Sequence, residues 1–216
     1  MKSHLPFRDR AEAGRLLGAE LASRNPQKDS IILALPRGGV PVGFEVARAL
    51  AAPLDVVVVR KLGVPWQPEL AMGAIASGGV RILDEKLIRQ KGIPPEEIET
   101  VAAREVEEVE RRELLYRGNR PPLELRNRPV VLVDDGLATG SSMLAAVKCV
   151  KSLQPSNVTV AVPVASRQAC TLIRDEAGDC VCLATPTPFN AVGEWYQNFR
   201  QTSDTEVREL LRQAAC

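Results

Sequence analysis

The chain of 216 residues is poor in several kinds of residue, and each shortage excludes a class of protein. It has one histidine, His4, and its five cysteines include no Cys-x-x-Cys pair, so a zinc site is not expected. The 28 basic and 27 acidic residues leave a net charge of +1, which argues against a nucleic-acid partner. No apolar run approaches the roughly 20 residues that a membrane span needs. The first ten residues also lack the apolar stretch of a signal peptide, so we expect a cytoplasmic protein with reduced thiols.

Short apolar runs alternate with amphipathic stretches along the chain. Ile31–Leu35 predicts a buried strand, 42–51 a helix, and the valine-rich run 54–60 a second strand. Strand, helix and strand in this order form a βαβ unit, and such units build parallel sheets. Further strands and helices alternate from Val130 onward. The sequence therefore predicts an α/β fold, with a mostly parallel central sheet flanked by helices, in a single domain over residues 1–216.

The stretch from about 94 to 118 interrupts this alternation with a highly charged helix. Pro94 and Pro95 are typical of a helix start, and the residues that follow carry a narrow apolar stripe. We interpret this insertion as a solvated surface helix. A lid and a dimer contact are the alternatives, and the second of these would make the protein a homodimer.

The segment Val130–Ser142 carries the clearest chemical pattern. An apolar strand ends in two carboxylates, Asp134 and Asp135, and a loop of small and hydroxyl residues leads into a helix. Ligands of open α/β sheets lie beyond the carboxyl ends of the strands. Gly136 and Gly140 let backbone N–H groups approach a phosphate, and the helix N-terminus favours an anion. A phosphorylated sugar fits both parts, since its monoester suits the loop and its hydroxyls suit the carboxylates.

This segment resembles the signature with which type I phosphoribosyltransferases bind 5-phosphoribosyl-1-pyrophosphate (PRPP). The resemblance implies a type I phosphoribosyltransferase-like fold, with the ribose 2′- and 3′-hydroxyls bound by Asp134 and Asp135. It also implies Mg²⁺, which these two residues would hold through the ribose hydroxyls or water. The 5′-phosphate would be bound by Ala138, Thr139, Gly140, Ser141 and Ser142.

Three residues depart from the family pattern. One is Ser142, a position that is often Thr in the family, and it keeps the hydroxyl. Gly136 stands where the family usually has an aliphatic residue. Ala138 stands where 6-oxopurine phosphoribosyltransferases have an Asp that serves as general base, a role that alanine cannot fill. The loop is more similar to those of adenine or uracil phosphoribosyltransferases, so an acceptor of the hypoxanthine–guanine type is disfavoured.

Two further segments resemble the pyrophosphate-binding elements of the same family. In the loop 35–41, pyrophosphate would be bound by Arg37, Gly38 and Gly39. A dinucleotide-binding turn is the weaker alternative, because the glycine spacing is wrong. Arg60 and Lys61 form the basic pair that precedes a loop expected to close over the active site. The alternative is two solvated cations, and Glu69 on that loop is interpreted as a surface acid.

Half of the eight aromatic residues fall within one late segment, from about 185 to 200. The resemblance implies that this segment is a small C-terminal hood that holds the acceptor base. Its base-binding residues would be Phe189, Trp195 and Tyr196. A satellite hydrophobic cluster is an equal alternative.

The ordered motifs, with the opening Phe7–Arg10, resemble most a bacterial group of predicted phosphoribosyltransferases. The resemblance implies transfer of a phosphoribosyl group from PRPP to a small-molecule base with loss of pyrophosphate. Catalytic roles would fall to Asp134, Asp135, Arg37 and Lys61. The sequence names no acceptor. The alternatives are a non-catalytic PRPP- or nucleotide-binding regulator and a hydrolase that acts on a phosphoribosyl compound.

Overall fold

The computed structural model describes residues 5–24, 29–121 and 124–214, so His4 and Cys216 lie outside the described residues. Helices and strands alternate over most of this length. The helices are α1 (Arg10–Ser23), α2 (Gly39–Leu50), α3 (Glu85–Lys91), α4 (Pro95–Arg117), α5 (Ser141–Ser152), α6 (Arg167–Ala177) and α7 (Asp204–Ala214). The strands are β1 (Ile31–Ala34), β2 (Leu54–Val56), β3 (Val59–Val64), β4 (Gln67–Ala76), β5 (Val80–Leu83), β6 (Pro129–Val133), β7 (Asn157–Val164) and β8 (Asp179–Ala184).

The main sheet is parallel throughout and has the order β2-β1-β6-β7-β8. Its central strand, β6, is buried along its whole length, as its continuous apolar run predicts. Helices cover both faces, and two hydrophobic clusters fill the space between the sheet and these helices. The predicted α/β fold with a mostly parallel, helix-flanked sheet is confirmed.

A second, three-stranded antiparallel sheet has the order β3-β4-β5. The prediction of one strand over 54–60 is therefore wrong. The Val57 N–H donates to the Ala34 carbonyl in the main sheet, whereas the Val58 N–H donates to the hydroxyl of Ser77, beside the second sheet. The chain changes sheets between these two valines, and the valine run itself carries no signal of the change.

The charged helix α4 runs from Pro95 to Arg117 and is not solvated on all sides. Its buried residues face β3, β4 and α7, and they include one acid, Glu105. The helix also carries partly buried ion pairs such as Arg112 with Glu108, at 2.5 Å. The apolar stripe that the sequence predicts is thus a packing face, and the interpretation of α4 as a plain surface helix was incomplete.

No helix among the described residues combines the length and the apolarity that are required to cross a membrane.

Candidate functional site

The loop between β6 and α5 presents small and hydroxyl residues at the carboxyl edge of the main sheet. Gly140 has φ +76°, a left-handed conformation that favours glycine, and α5 begins at the next residue. Ala138, Thr139 and Ser142 are exposed, and the Thr139 and Ser141 hydroxyl oxygens lie 3.0 Å apart. The first N–H groups of a helix have no partner within the helix, so they are available to an anion. The loop therefore has the open donors that a phosphate needs.

The two predicted loops meet at the end of the sheet, because β1 and β6 are parallel neighbours. Gly38 packs so closely on Asp135 that a Cβ at position 38 would lie 2.1 Å from the Asp135 Oδ2. A Cβ at Gly39 would lie 2.7 Å from the Val133 carbonyl oxygen. Glycine is thus required at both positions for the backbone of one loop to reach the acids of the other. The structure brings together the residues predicted for pyrophosphate and those predicted for ribose.

Asp134 and Asp135 are largely buried, and their charges act on each other. The Asp134 Oδ1 accepts the Asp135 backbone N–H at 2.8 Å. Burial first, and then the Asp135 charge, raise the pKa of Asp134 well above its usual range. Burial also raises the pKa of Asp135, against the opposing effect of Arg10. The pair holds protons to a higher pH than free aspartate does, because two buried like charges are costly.

Arg10, the first residue of α1, reaches the acidic pair and was not anticipated from the sequence. Its Nε donates to the Asp135 Oδ2 at 2.7 Å, and both side chains are mostly buried. Its Nη1 donates to the carbonyl oxygen of Arg200 at 2.7 Å. The guanidinium also lies over the ring of Phe199, with Cζ 3.9 Å from the ring centroid. Since Arg10 and Asp135 are 125 residues apart, no local spacing could have paired them.

Arg37, in the loop after β1, contacts Asp204, which in turn accepts a hydrogen bond from Tyr116 of the charged helix α4. The Tyr116 hydroxyl of α4 donates to the Asp204 Oδ1 at 2.6 Å. The same oxygen lies 3.7 Å from the Arg37 Nη1. Asp204 and Tyr116 are the neighbours of Arg37 that the sequence did not indicate, since they belong to elements distant in the chain.

Arg60 and Lys61 point to opposite sides of β3, as alternate strand residues do. Arg60 faces α4, where its Nε donates to the Glu105 Oε2 at 2.7 Å. Lys61 faces a cavity of about 620 Å³ between α5 and the second sheet. Glu69 and Ser141 line the same cavity, so it adjoins the phosphate loop. Only one member of the predicted basic pair therefore lies on the cavity wall.

The predicted hood, 185–200, is joined to the start of the described chain. The Phe7 N–H donates to the Trp195 carbonyl at 2.8 Å, and the Phe7 carbonyl accepts the Gln197 N–H at 2.7 Å. The Tyr196 hydroxyl donates to the Asp135 carbonyl oxygen at 2.6 Å. Tyr196 is buried, whereas Phe189 and Trp195 are half-buried, with ring centroids 6.1 Å apart. The segment thus lies beside the acidic pair, and its aromatic residues form part of a small hydrophobic cluster.

Comparison with known proteins gives a family match over most of the chain. Residues 11–197 match the model of the phosphoribosyl transferase domain. Two proteins of Mycobacterium tuberculosis, from strains CDC 1551 and H37Rv, are each 45% identical to the chain over 208 residues. Both carry the provisional name phosphoribosyl transferase. The match covers 96% of this chain and 47% of each relative, so the chain spans about half the length of these proteins.

Solved structures of other proteins resemble the fold, among them the following two. The crystal structure of TT1426 from Thermus thermophilus is 42% identical, with a TM-score of 0.89 over 97% of this chain and 99% of that chain. The structure of AQ2163 from Aquifex aeolicus has a TM-score of 0.52 at 12% identity, over 85% of this chain and 78% of that chain. The second likeness concerns the fold alone.

Proposed function

The chain belongs to the phosphoribosyl transferase family, and on that premise we propose that it transfers the phosphoribosyl group of PRPP to a nitrogenous base. Pyrophosphate is the leaving group. The observation that carries this proposal is the packing of Gly38 on Asp135 beside the β6–α5 loop. This packing supports the proposal, because the loops assigned to the pyrophosphate, the ribose and the 5′-phosphate lie next to one another, as a single PRPP molecule requires.

The 5′-phosphate binds in the loop Ala138–Ser142. Backbone N–H groups of the first turn of α5 and the hydroxyls of Thr139, Ser141 and Ser142 donate to its oxygens. The exposure of Thr139 and Ser142 supports this assignment, because a ligand can reach both side chains. The positive end of the α5 dipole adds to the attraction for a doubly charged monoester.

The ribose hydroxyls donate to the carboxylates of Asp134 and Asp135. A carboxylate accepts hydrogen bonds through both oxygens, whereas a protonated carboxyl loses part of this capacity. Because burial raises the pKa of both acids, donor affinity falls when the pH is low enough to protonate the pair.

The acidic pair also fits a Mg²⁺ ion that arrives with the donor. Mg²⁺ is usually held by one or two carboxylates together with substrate phosphates, and it retains several waters. Among the described residues, no group of three or more His, Cys, Asp or Glu side chains forms a complete protein cage. Asp134 and Asp135 would hold the ion through water or the ribose hydroxyls. When bound, Mg²⁺ neutralises charge on the pyrophosphate.

The leaving pyrophosphate is stabilised by Arg37 and Lys61, from two sides of the site. Arg37 is held beside Gly38 by its contact with Asp204. Lys61 reaches the cavity that also includes Ser141. Arg60 lies on the opposite side of β3, where its Nε donates to Glu105, so it makes no direct contact with the pyrophosphate in this proposal. Cations placed where negative charge develops lower the barrier to loss of the leaving group.

The acceptor base binds between the hood and the β3–β4 hairpin. The half-buried rings of Phe189 and Trp195 support this assignment, since stacking on an aromatic face holds a planar base. Trp66 at the hairpin tip is 56% exposed, and closure of the hairpin would bury it while excluding water from the reacting centre.

The donor site is tested by calorimetry with PRPP and Mg²⁺. We expect the wild-type protein to bind, and Asp135→Asn to bind at least about tenfold more weakly, since it loses a charged acceptor worth more than about 1.4 kcal/mol. Asp175→Asn, on an exposed face of α6, is the matched control and should bind as the wild type does. Equal affinity of Asp135→Asn and the wild type, or no binding by the wild type, would contradict the proposed donor site.

Turnover is tested by pyrophosphate release with a panel of purine and pyrimidine bases. Release that depends on one base identifies the acceptor. Release without any base would point to a hydrolase, and PRPP binding without release to a regulator. Either result would replace the transferase proposal while keeping the donor site.

A further inference from the structure

We propose that Arg10 is a positioning residue of the ribose site, which holds the Asp135 carboxylate and ties it to the hood in one network of contacts. The inference rests on the proposed function, because it takes Asp135 to be a ligand of the ribose hydroxyls. It concerns α1, an element to which the proposed reaction otherwise gives no part.

Three parts of the Arg10 guanidinium each make a separate contact. Nε donates to Asp135, Nη1 donates to the Arg200 carbonyl, and the planar face covers the Phe199 ring. The side chains of Arg10 and Asp135 are only 11% and 14% exposed, so the ion pair is shielded from water. Only a planar, multidentate cation can make all three contacts at once, because an ammonium is a compact point charge.

The contact fixes which oxygen of Asp135 remains for the donor. Oδ2 is taken by Arg10, and Gly38 packs against this same oxygen. The carboxylate is therefore clamped between α1 and the pyrophosphate loop. Oδ1 is left to accept from a ribose hydroxyl. A carboxylate held in this way does not have to be ordered when the ligand arrives, which favours binding.

Asp135 is contacted from α1 and from the hood. The Arg10 Nε donates to its side chain, and the Tyr196 hydroxyl donates to its backbone carbonyl oxygen at 2.6 Å. The residue is therefore held through both its side chain and its backbone. Without Arg10 the carboxylate would lose the ion pair that fixes its orientation.

The test is a double-mutant cycle for PRPP affinity with Mg²⁺, measured by calorimetry at neutral pH. If Arg10 acts through Asp135, Arg10→Gln should weaken binding at least about tenfold in the wild-type protein and should have little further effect in Asp135→Asn. Arg10→Lys keeps the charge but not the planar fork, so it should recover only part of the lost affinity.

Two controls separate the ion pair from general effects on the fold. Arg15→Gln removes an arginine of the same helix that pairs with Glu45 at the surface, and it should leave PRPP affinity unchanged. Phe199→Leu removes the ring under Arg10 but keeps the ion pair with Asp135, so it should weaken binding less than Arg10→Gln does. Unchanged affinity in Arg10→Gln, or an equal loss in the wild-type and Asp135→Asn backgrounds, would overturn the proposal.

A second readout needs no PRPP. Nitrogen-15 NMR of the arginine Nε–H groups in the ligand-free protein, assigned with Arg10→Gln, should show the Arg10 Nε–H protected from exchange with water, and Asp135→Asn should remove this protection. A freely exchanging Arg10 Nε–H in the wild type would overturn the Arg10 inference. Absence of PRPP binding by the wild-type protein would instead overturn the proposed function, so the two failures are distinguishable.

Discussion

At the scale of single residues, the site depends on how tightly two loops approach each other. Gly38 leaves room for the Asp135 carboxylate, and Arg10 supplies the opposite charge at the same carboxylate oxygen, Oδ2. The acid is thus enclosed by neighbours that leave little freedom in its position. Such pre-organisation is what a site needs when a ligand is bound by a few hydrogen bonds.

Gly38→Ala tests this enclosure. Its φ of −61° suits alanine, so the backbone is not strained, but the new Cβ would lie 2.1 Å from the Asp135 Oδ2 and must displace it. We expect PRPP affinity to fall at least about tenfold, a cost of about 1.4 kcal/mol. Calorimetry measures the change.

Gly92→Ala is the control for this substitution. It lies at the end of α3 with φ +61° and with nothing near its Cβ position. Alanine there should cost about 1 kcal/mol of stability through backbone strain, without loss of donor affinity. If Gly38→Ala binds PRPP as tightly as the wild type, the close packing of the two loops is not required for binding.

Some of these residues could be anticipated and others could not. The acidic pair follows an apolar strand directly, and β1 and β6 end at the same sheet edge, so the proximity of Asp134 to the Gly38 loop is a consequence of parallel pairing. Arg10 gives no such signal, because its partners come from distant parts of the chain. Contacts of this kind are set by tertiary packing, and no local pattern encodes them.

At the scale of elements, α4 is the link between the predicted pyrophosphate residues and the rest of the fold. Its buried Glu105 holds Arg60, and its Tyr116 reaches Arg37 through Asp204 of α7. Some of the charged side chains that favoured a solvated helix, Glu105 among them, are thus buried. A helical pattern predicts that α4 exists and where its apolar stripe lies. It does not predict that a carboxylate shares that buried face with apolar side chains.

The hydrogen bond from Tyr116 of α4 to Asp204 of α7 should make the stability of the fold depend on pH in alkaline solution. Burial, and then the hydrogen bond to Asp204, raise the pKa of Tyr116 to about 12. A raised pKa in the folded state means that the stabilising contribution is complete below the unfolded pKa of about 10 and is lost as the pH rises towards 12. We expect the free energy of unfolding, measured with urea, to fall over this interval.

Tyr116→Phe isolates this contribution. It should reduce stability at neutral pH by about 1 kcal/mol, the usual net value of one hydrogen bond, and should make the alkaline fall shallower. The other tyrosine, Tyr196, remains as an internal reference, since burial raises its pKa as well. An identical alkaline profile for the variant and the wild type would show that the Tyr116–Asp204 contact does not stabilise the fold.

At the scale of the whole molecule, the acidic pair lowers the stability of the fold in the state that the proposed ligand requires. Both acids have a raised pKa in the folded protein, so their ionisation at neutral pH costs folding free energy. On the proposed function, this cost accompanies binding, since the ribose hydroxyls require the ionised pair. Functional sites commonly carry this kind of local cost.

Asp134→Asn should therefore stabilise the ligand-free protein while abolishing PRPP binding. Asparagine keeps an oxygen that can accept the Asp135 N–H, and it removes the buried charge. The gain at pH 7 should be about 1.4 kcal/mol for each unit of pKa rise removed, or a Tm increase of about 2–4 °C per kcal/mol.

The sign of this effect can be checked by lowering the pH. Below about pH 4 the wild-type carboxyl is protonated, so the difference in Tm between the two proteins should disappear. Thermal denaturation of the two proteins at pH 7 and below about pH 4 measures this difference in Tm. A lower Tm for Asp134→Asn at pH 7 would mean that the charge of Asp134 stabilises the fold.

The pairing of Phe7 with Trp195 and Gln197 has a consequence for biosynthesis. Arg10 and Arg200, which it brings together, are 190 residues apart. During translation the phosphate loop and both acids leave the ribosome well before the segment that covers them. The parallel sheet can form around β6 at that stage, but Arg10 has no hood to bind until the segment around residue 200 has emerged. A nascent chain can therefore form the sheet before the contacts between Arg10 and the hood, and a chain that stops short of residue 195 would keep the acidic pair uncovered.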